Sequence, residues 1–310
     1  MGTQGAGLVR LPAAPPVSAL SHPTRRSMPL PLALLVRAGR FLLTLALSVA
    51  LVLALWFAFL RLFHLSSFFA KSPADVWRYL FSGSGSGTEV TASDAAANRK
   101  EIAAAMGTTA RDAVLGYVFG TVVAVGVALW VVGSRAVERT LMPVAIALRS
   151  VPLVAMTPLI ALVFGRGLLA VALISGIVTF FPTLVTVVAG LRAAPSLAVD
   201  VVLAYGGRPS AVLRKVALPA ALPSLFASAR IAVPGALLGA VLAEWLATGK
   251  GLGALMLNCT TTSRFDTLWA SVVVITAVSI GVYAVIGMTE SLALARFSDV
   301  AGGDGRRATR

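Results

Sequence analysis

Residues 191–230 read LRAAPSLAVDVVLAYGGRPSAVLRKVALPAALPSLFASAR, a basic segment between two strongly apolar runs, 167–191 and about 231–248. Pro195-Ser196 opens a helix that runs through Tyr205, because a hydroxyl beside a proline marks a helix start. Gly206-Gly207 breaks it. Pro209 suits the first turn of a second short helix, 209–217, since its missing N–H would have no partner there. In that helix Val212 and Val216 stand four apart, as do Leu213 and Ala217, and form an apolar face. Arg208, Arg214 and Lys215 face elsewhere. Leu218-Pro219 is expected to end it. At 39 residues (192–230) the segment is far longer than a tight helical hairpin needs. Two readings are open: a solvated basic loop that only satisfies membrane topology, or a docking element whose apolar face a soluble partner buries.

The flanking runs set the class. Hydrophobic residues make up 58% of the 310 and charged residues 12%, with a mean hydropathy of +0.90. Soluble globular chains hold about 45–50% and 25%. So few charges cannot cover the surface of a water-soluble fold of this size, and the expected fold is all-α and polytopic. A helix crossing the hydrocarbon needs about 20 mostly apolar residues. The runs 41–60, 113–133, 167–191 and 267–289 qualify without an internal charge. Two more qualify with blemishes: 141–165 carries Arg149, Pro152 and Pro158, and 231–248 carries Glu244. Six spans are expected.

The 26 Lys and Arg outnumber the 12 Asp and Glu. They flank apolar runs and form no stripe interleaved with aromatics, so the excess reflects membrane topology and argues against nucleic acid. Counted on alternate sides of the six spans, 17 basic residues fall on one side and nine on the other. The positive-inside rule then places both termini in the cytoplasm of a multi-pass cell-membrane protein.

The expected organisation follows. Residues 1–36 form a disordered basic tail, 37–298 the membrane domain, and 299–310 a second cytoplasmic tail. The domain has an outer loop, 61–112, and the inner loop 192–230. The apolar run at 41–60 starts late and lacks a cleavage site, so it is a retained anchor and not a signal peptide. In the outer loop, 72–81 (SPADVWRYLF) is expected to be an amphipathic helix lying at the interface with Trp77 and Tyr79, either as a plain connector or with a gating role. The stretch 82–88 (SGSGSGT) is a flexible linker.

The chain offers little catalytic chemistry. Gly249-Lys250 has Glu244 where a P-loop needs its first glycine, and no Ser or Thr follows the lysine. HExxH, Gly-x-Ser-x-Gly and Cys-x-x-Cys do not occur. The single cysteine, Cys259, excludes an intramolecular disulfide, and His22 and His64 lie too far apart in sequence to suggest a metal pair. No catalytic residue, metal or bound cofactor is expected. Pro152, Pro158 and Pro182 bend helices, either to improve packing or to shape a translocation path. Glu244, an ionisable group inside a span, is a functional candidate by default. It either makes a structural salt bridge or hydrogen bond to a turn, or acts on the translocation path, by meeting the substrate or as a gate. Gly116 and Gly120 form a small-xxx-small pair suited to close helix packing.

The inner loop resembles the EAA loop of ABC importer permeases. Asp200-Val201-Val202 stands at the acidic-Ala-Ala start, Gly206 six residues on, and Leu218-Pro219 at 18 and 19 residues on. The departures are Asp for Glu and Val-Val for Ala-Ala. The residues SVPLVAMTPLIALVF (150–164), Phe181-Pro182 and AEWLATGKGLGALML (243–257) are similar to the nitrate, sulfonate and taurine branch, which includes permeases for pyrimidine-type thiamine precursors. The resemblance implies a type I importer fold with the loop docked on a cytoplasmic ATPase dimer. It implies coupling through Asp200, Gly206, Arg208, Val212, Arg214, Val216, Leu218 and Pro219. It also implies a second permease copy, an extracytoplasmic substrate-binding protein, and ATP used by the partner alone.

An ion-coupled secondary transporter is the alternative. Such carriers are usually marked by internal repeats and intramembrane charges, and neither is clear here. A membrane-embedded enzyme would need a polar cluster within the spans, which the sequence does not offer.

Overall fold

The structure is a computed structural model that describes residues 30–64, 66–82 and 92–302. Of the expected tail 1–36, residues 1–29 lie outside the described residues, as do 83–88 of the Gly-Ser stretch and 303–310 of the second tail. The chain divides into two units, the first ending at Trp56 and the second beginning at Phe57. The first contains most of a long helix, α1 (Leu30–Leu62). Residues 30–36, expected in the tail, are its first two turns.

The second unit continues as helices, and no strand occurs among the described residues. They are α2 (Pro73–Phe81), α3 (Ala92–Gly133), α4 (Arg135–Arg149), α5 (Leu153–Phe164) and α6 (Leu168–Arg192). Then come α7 (Ser196–Ala204), α8 (Pro209–Val212), α9 (Leu218–Ala243), α10 (Gly251–Thr261) and α11 (Phe265–Gly302). Two π-turns, Leu213–Ala217 and Glu244–Thr248, join α8 to α9 and extend α9.

Among the described residues, four helical stretches are long and apolar enough to cross a membrane: Ala95–Gly133, Leu168–Arg192, Pro209–Thr248 and Phe265–Ser291. Counted as one span, α4 and α5 add a fifth, and α1 supplies a further apolar helix over Ala46–Leu62. Large apolar side chains such as Trp130, Ile231, Leu238 and Val285 are exposed on these helices. Such a surface is stable against lipid and not against water.

Three boundaries differ from the sequence reading. Residues 92–112, expected in an outer loop, are the first half of α3. Ala95, Ile102, Met106, Thr109 and Ala113 form a buried stripe there at helical spacing. Charged residues such as Arg99, Lys100 and Glu101 interrupt that stripe, so an apolar-run criterion passes over it. The expected span 141–165 is two helices bent by 101°. Finally, Leu218-Pro219 does not end a helix. The π-turn directs the Leu218 N–H to Leu213 O, and Pro219 follows in the first turn of α9. The helical path therefore runs unbroken from Pro209 to Thr248.

The core lies where α3, α6 and α9 cross. A Cβ on Gly116 would collide with Ser175, and one on Gly120 with Thr179 and the backbone of Gly176. From the other side, a Cβ on Gly239 would lie 2.7 Å from Ser175 Cα. The Ser175 hydroxyl donates to Ala236 O at 2.8 Å, so the crossing buries no unpaired hydroxyl at that point. Toward one end of the bundle Ala124, Ala128, Leu184, Val188, Leu191 and Ala217 form an apolar cluster. Ile160, Ala170, Ile174 and Ala243 form another toward the opposite end.

Ion pairs tie the periphery. Glu138–Arg192 at 2.5 Å joins α4 to α6, Arg230–Glu290 at 2.6 Å joins α9 to α11, and Lys71–Asp266 spans 3.2 Å. Glu101 accepts from both Arg264 nitrogens, at 3.0 and 2.6 Å. The α2 helix has the expected extent and starts with a Ser72–Asp75 capping box. Trp77 is exposed, but Tyr79 is buried and bonded to the Thr267 hydroxyl at 2.7 Å. Thus α2 docks on α11 through Tyr79 and does not present that side chain to an interface.

Candidate functional site

The segment between α6 and α9 is a helical hairpin seated on the bundle. Pro195 caps α7, and at the far end Tyr205 N–H reaches Val201 O, Gly206 N–H reaches Leu203 O and Gly207 N–H reaches Val202 O. Gly206 has a φ of +76°, the left-handed conformation expected at this break. A Cβ on Gly206 would meet open space, so the backbone alone sets the demand for glycine. Gly207 is needed for a different reason: a Cβ there would lie 2.6 Å from Val202 O. Pro209 starts the next helix as expected.

The apolar residues divide differently from the sequence reading. Leu213 and Ala217 pack on the core cluster, and Val212 and Val216 are half-buried. This face anchors the hairpin. The free apolar stripe lies on α7, where Leu197 is 80% exposed, Val201 56% and Tyr205 91%. The spacing i, i+4, i+8 puts all three on one face. The same period stands in the sequence at 197, 201 and 205. Asp200, Arg208, Arg214, Leu218 and Pro219 are also exposed.

A second constellation surrounds Glu244, which is fully buried. Its Oε2 accepts from the Thr109 hydroxyl at 2.9 Å and from Gly253 N–H at 2.8 Å. The Thr109 hydroxyl accepts from Leu252 N–H at 2.8 Å. Leu252 and Gly253 are the second and third residues of α10, so the carboxylate and hydroxyl cap a helix that has no side-chain cap of its own. A carboxylate at that end also complements the helix dipole. Gly251, at φ +84°, leaves room for it, because a Cβ there would overlap the Glu244 carboxylate. Of the two forms the structural reading took, the geometry has the hydrogen bond to a turn.

The three prolines separate. Pro152 begins α5 at the sharp bend, Pro158 lies within α5, and Pro182 lies within α6. Only Pro182 of these lines a cleft of about 430 Å³, together with Arg149, Met156, Ile177, Phe181 and Ile231. Glu244 does not line it.

Residues 116–292 match the family described as the binding-protein-dependent transport system inner membrane component. The chain belongs to that family. The matched stretch runs from the middle of α3 into α11 and contains the hairpin, the cleft and Glu244. A probable ABC transporter permease protein of Haemophilus influenzae is 32% identical over 169 residues, covering 54% of this chain and 67% of that one. A riboflavin transport system permease protein of Chloroflexus aurantiacus is 34% identical over 160 residues, covering 51% and 59%. A formylaminopyrimidine transport permease protein of Halalkalibacterium halodurans is 26% identical over 180 residues, covering 58% and 72%. As an ABC importer permease the chain is a multi-pass, non-enzymatic inner-membrane component, of the branch read from its sequence.

Proposed function

We propose that this permease moves a small polar or anionic solute into the cell, powered by a separate ATPase dimer that grips the α6–α9 hairpin. The observation that carries this reading is the exposed stripe Leu197, Val201 and Tyr205 on a hairpin whose other face is anchored in the core. A rigid, apolar-faced projection suits a groove in a soluble partner. Its anchor at Leu213 and Ala217 leads into α9 without a break, so a push on the hairpin reaches the membrane. ATP binding drives transport only if it favours one orientation of the permease over the other.

In this reading both termini and the hairpin face the cytoplasm, and the Glu244 end faces outward. A substrate-binding protein delivers solute there, and two permease copies enclose the path. ATP is bound and used by the partner, with no cofactor held by this chain. Riboflavin and formylaminopyrimidine, named for two relatives, support an organic solute over a bare inorganic ion such as nitrate.

Reconstitution tests this. Purified permease in liposomes should hydrolyse no ATP and accumulate no solute on an ion gradient. Adding the ATPase and binding protein should restore ATP-dependent uptake. Uptake by the permease alone on an ion gradient would instead establish a secondary transporter.

A further inference from the structure

Arg230 and Glu290 are charged residues inside two stretches long and apolar enough to cross a membrane, Pro209–Thr248 and Phe265–Ser291. An ionisable residue within a span is a functional candidate by default. Arg230 Nη2 stands 2.6 Å from Glu290 Oε2, and the side chains are 37% and 16% exposed. The last helix is shaped to receive the arginine. Tyr283, Gly287 and Glu290 stand at i, i+4 and i+7, on one face of α11. The guanidinium carbon lies 5.9 Å from the centre of the Tyr283 ring. A Cβ on Gly287 would lie 3.2 Å from Arg230 Nη2, so a side chain there would crowd the guanidinium. Arg230 Nε and Glu290 Oε2 are buried and make no hydrogen bond among the described residues, so charge holds the pair.

Toward the start of α11 the seam with α9 is loosely packed. An apolar cavity of about 230 Å³ lies between Val233 and Leu237 of α9 and Val278 and Val282 of α11. Another, of about 320 Å³, lies between Pro234 and Leu238 of α9 and Ile275 and Ser279 of α11. The α3–α6–α9 crossing is different. There Gly116, Gly120 and Gly239 interlock the helices, which move as one body. Close packing transmits a displacement, whereas the lining of a void has no atoms to push against. At its beginning α11 is tied to other elements, through Thr267 to Tyr79 of α2 and through Asp266 to Lys71.

We propose that Arg230 and Glu290 are positioning residues for transport, and that their ion pair is the link through which α11 follows α9. The proposal rests on the permease reading above, in which the ATPase moves α9 through the unbroken path from Pro209. Movement of the interlocked core carries Arg230, and attraction across a low-dielectric span draws Glu290 with it. Packing does not bridge the gap on the same seam. With the pair absent, the core moves and α11 lags, taking up the space of the cavities. Neither residue touches solute in this scheme.

Ile231 of α9 and Met288 of α11 are exposed beside the pair and carry the probes. Full-length permease with nitroxide-labelled Ile231→Cys and Met288→Cys is reconstituted with its ATPase in nanodiscs. Pulsed electron spin resonance reads two distances, without nucleotide and after trapping with ATP and vanadate. The first runs between the 231 positions of the two copies. The second runs from 231 to 288 within one copy, in complexes holding a single labelled copy. In the otherwise wild-type chain, trapping should shift the first by more than about 2 Å and leave the second unchanged. In Glu290→Gln the first should still shift, and the second should now shift or broaden as well. Exchanging the charges, Arg230→Glu with Glu290→Arg, should restore a constant second distance, and it keeps the pair if the glutamine variant misfolds. A pair that only stabilises the fold would lower the unfolding temperature and leave the second distance constant in Glu290→Gln, which overturns the proposal. A second distance that shifts in the wild-type chain also overturns it. No shift between the copies in the wild-type chain overturns the permease reading itself, so the two failures are distinct.

Discussion

The Thr109 hydroxyl, in α3, stands 2.9 Å from Glu244 Oε2 at the end of α9, and both residues are fully buried. This contact between residues 135 apart in sequence fixes the start of α10 against two long helices. Thr109→Val keeps the volume and removes the hydroxyl, leaving Leu252 N–H without its acceptor and Glu244 with one donor fewer. The expected loss is about 1–3 kcal/mol, read as a lower unfolding temperature in detergent. Thr109→Ser should behave nearly as wild type. A Thr109→Val protein as stable as wild type would show that water replaces the hydroxyl.

Gly206→Val should leave the bundle folded and disable the hairpin. The position needs φ near +76° but has free space around a Cβ. The cost is therefore backbone strain, roughly 1–2 kcal/mol, confined to the exposed end of α7. Normal membrane abundance with lost ATP-driven uptake is expected. Wild-type uptake would mean that the turn is not needed for coupling.

Gly116→Val should do the reverse and damage the fold. Its side chain would enter Ser175 at the α3–α6 crossing, where both partners are long helices that cannot retreat locally. Low membrane abundance is expected, with no folded protein that docks an ATPase normally. Normal yield would show that the helices separate at little cost.

Topology is checked by labelling with an impermeant thiol reagent. Ser210→Cys, exposed on the hairpin, should react only after the membrane is permeabilised. Cys259 is a quiet background: it is fully buried, and burial pushes its thiol pKa up, which keeps it protonated. Labelling of Ser210→Cys in intact cells would invert the orientation.

Much of the fold is legible in the sequence, for physical reasons. Uncharged runs such as 167–191 must be helices in lipid, and they are. Gly206 announced its own conformation, because a helix that stops at Gly-Gly commonly stops in the left-handed region. The amphipathic half of α3 was not legible, since its buried stripe of alanines, Ile102, Met106 and Thr109 alternates with charges and resembles a soluble loop. Pro219 misled for a similar reason. A proline reads as a stop unless the preceding turn is known to be a π-turn.

In the proposed function an ATPase docks on the exposed stripe Leu197, Val201 and Tyr205. The double variant Leu197→Asp, Tyr205→Asp tests it most directly, by co-purification of the permease with its ATPase subunits. Burying each wild-type side chain contributes about 1.5–3 kcal/mol at most. Each aspartate adds the cost of an unpaired buried charge. Both sites are exposed in the isolated permease, so the variant should insert and fold normally while losing its ATPase. Full retention of the ATPase by a folded double variant would contradict the account and move the coupling surface away from this hairpin.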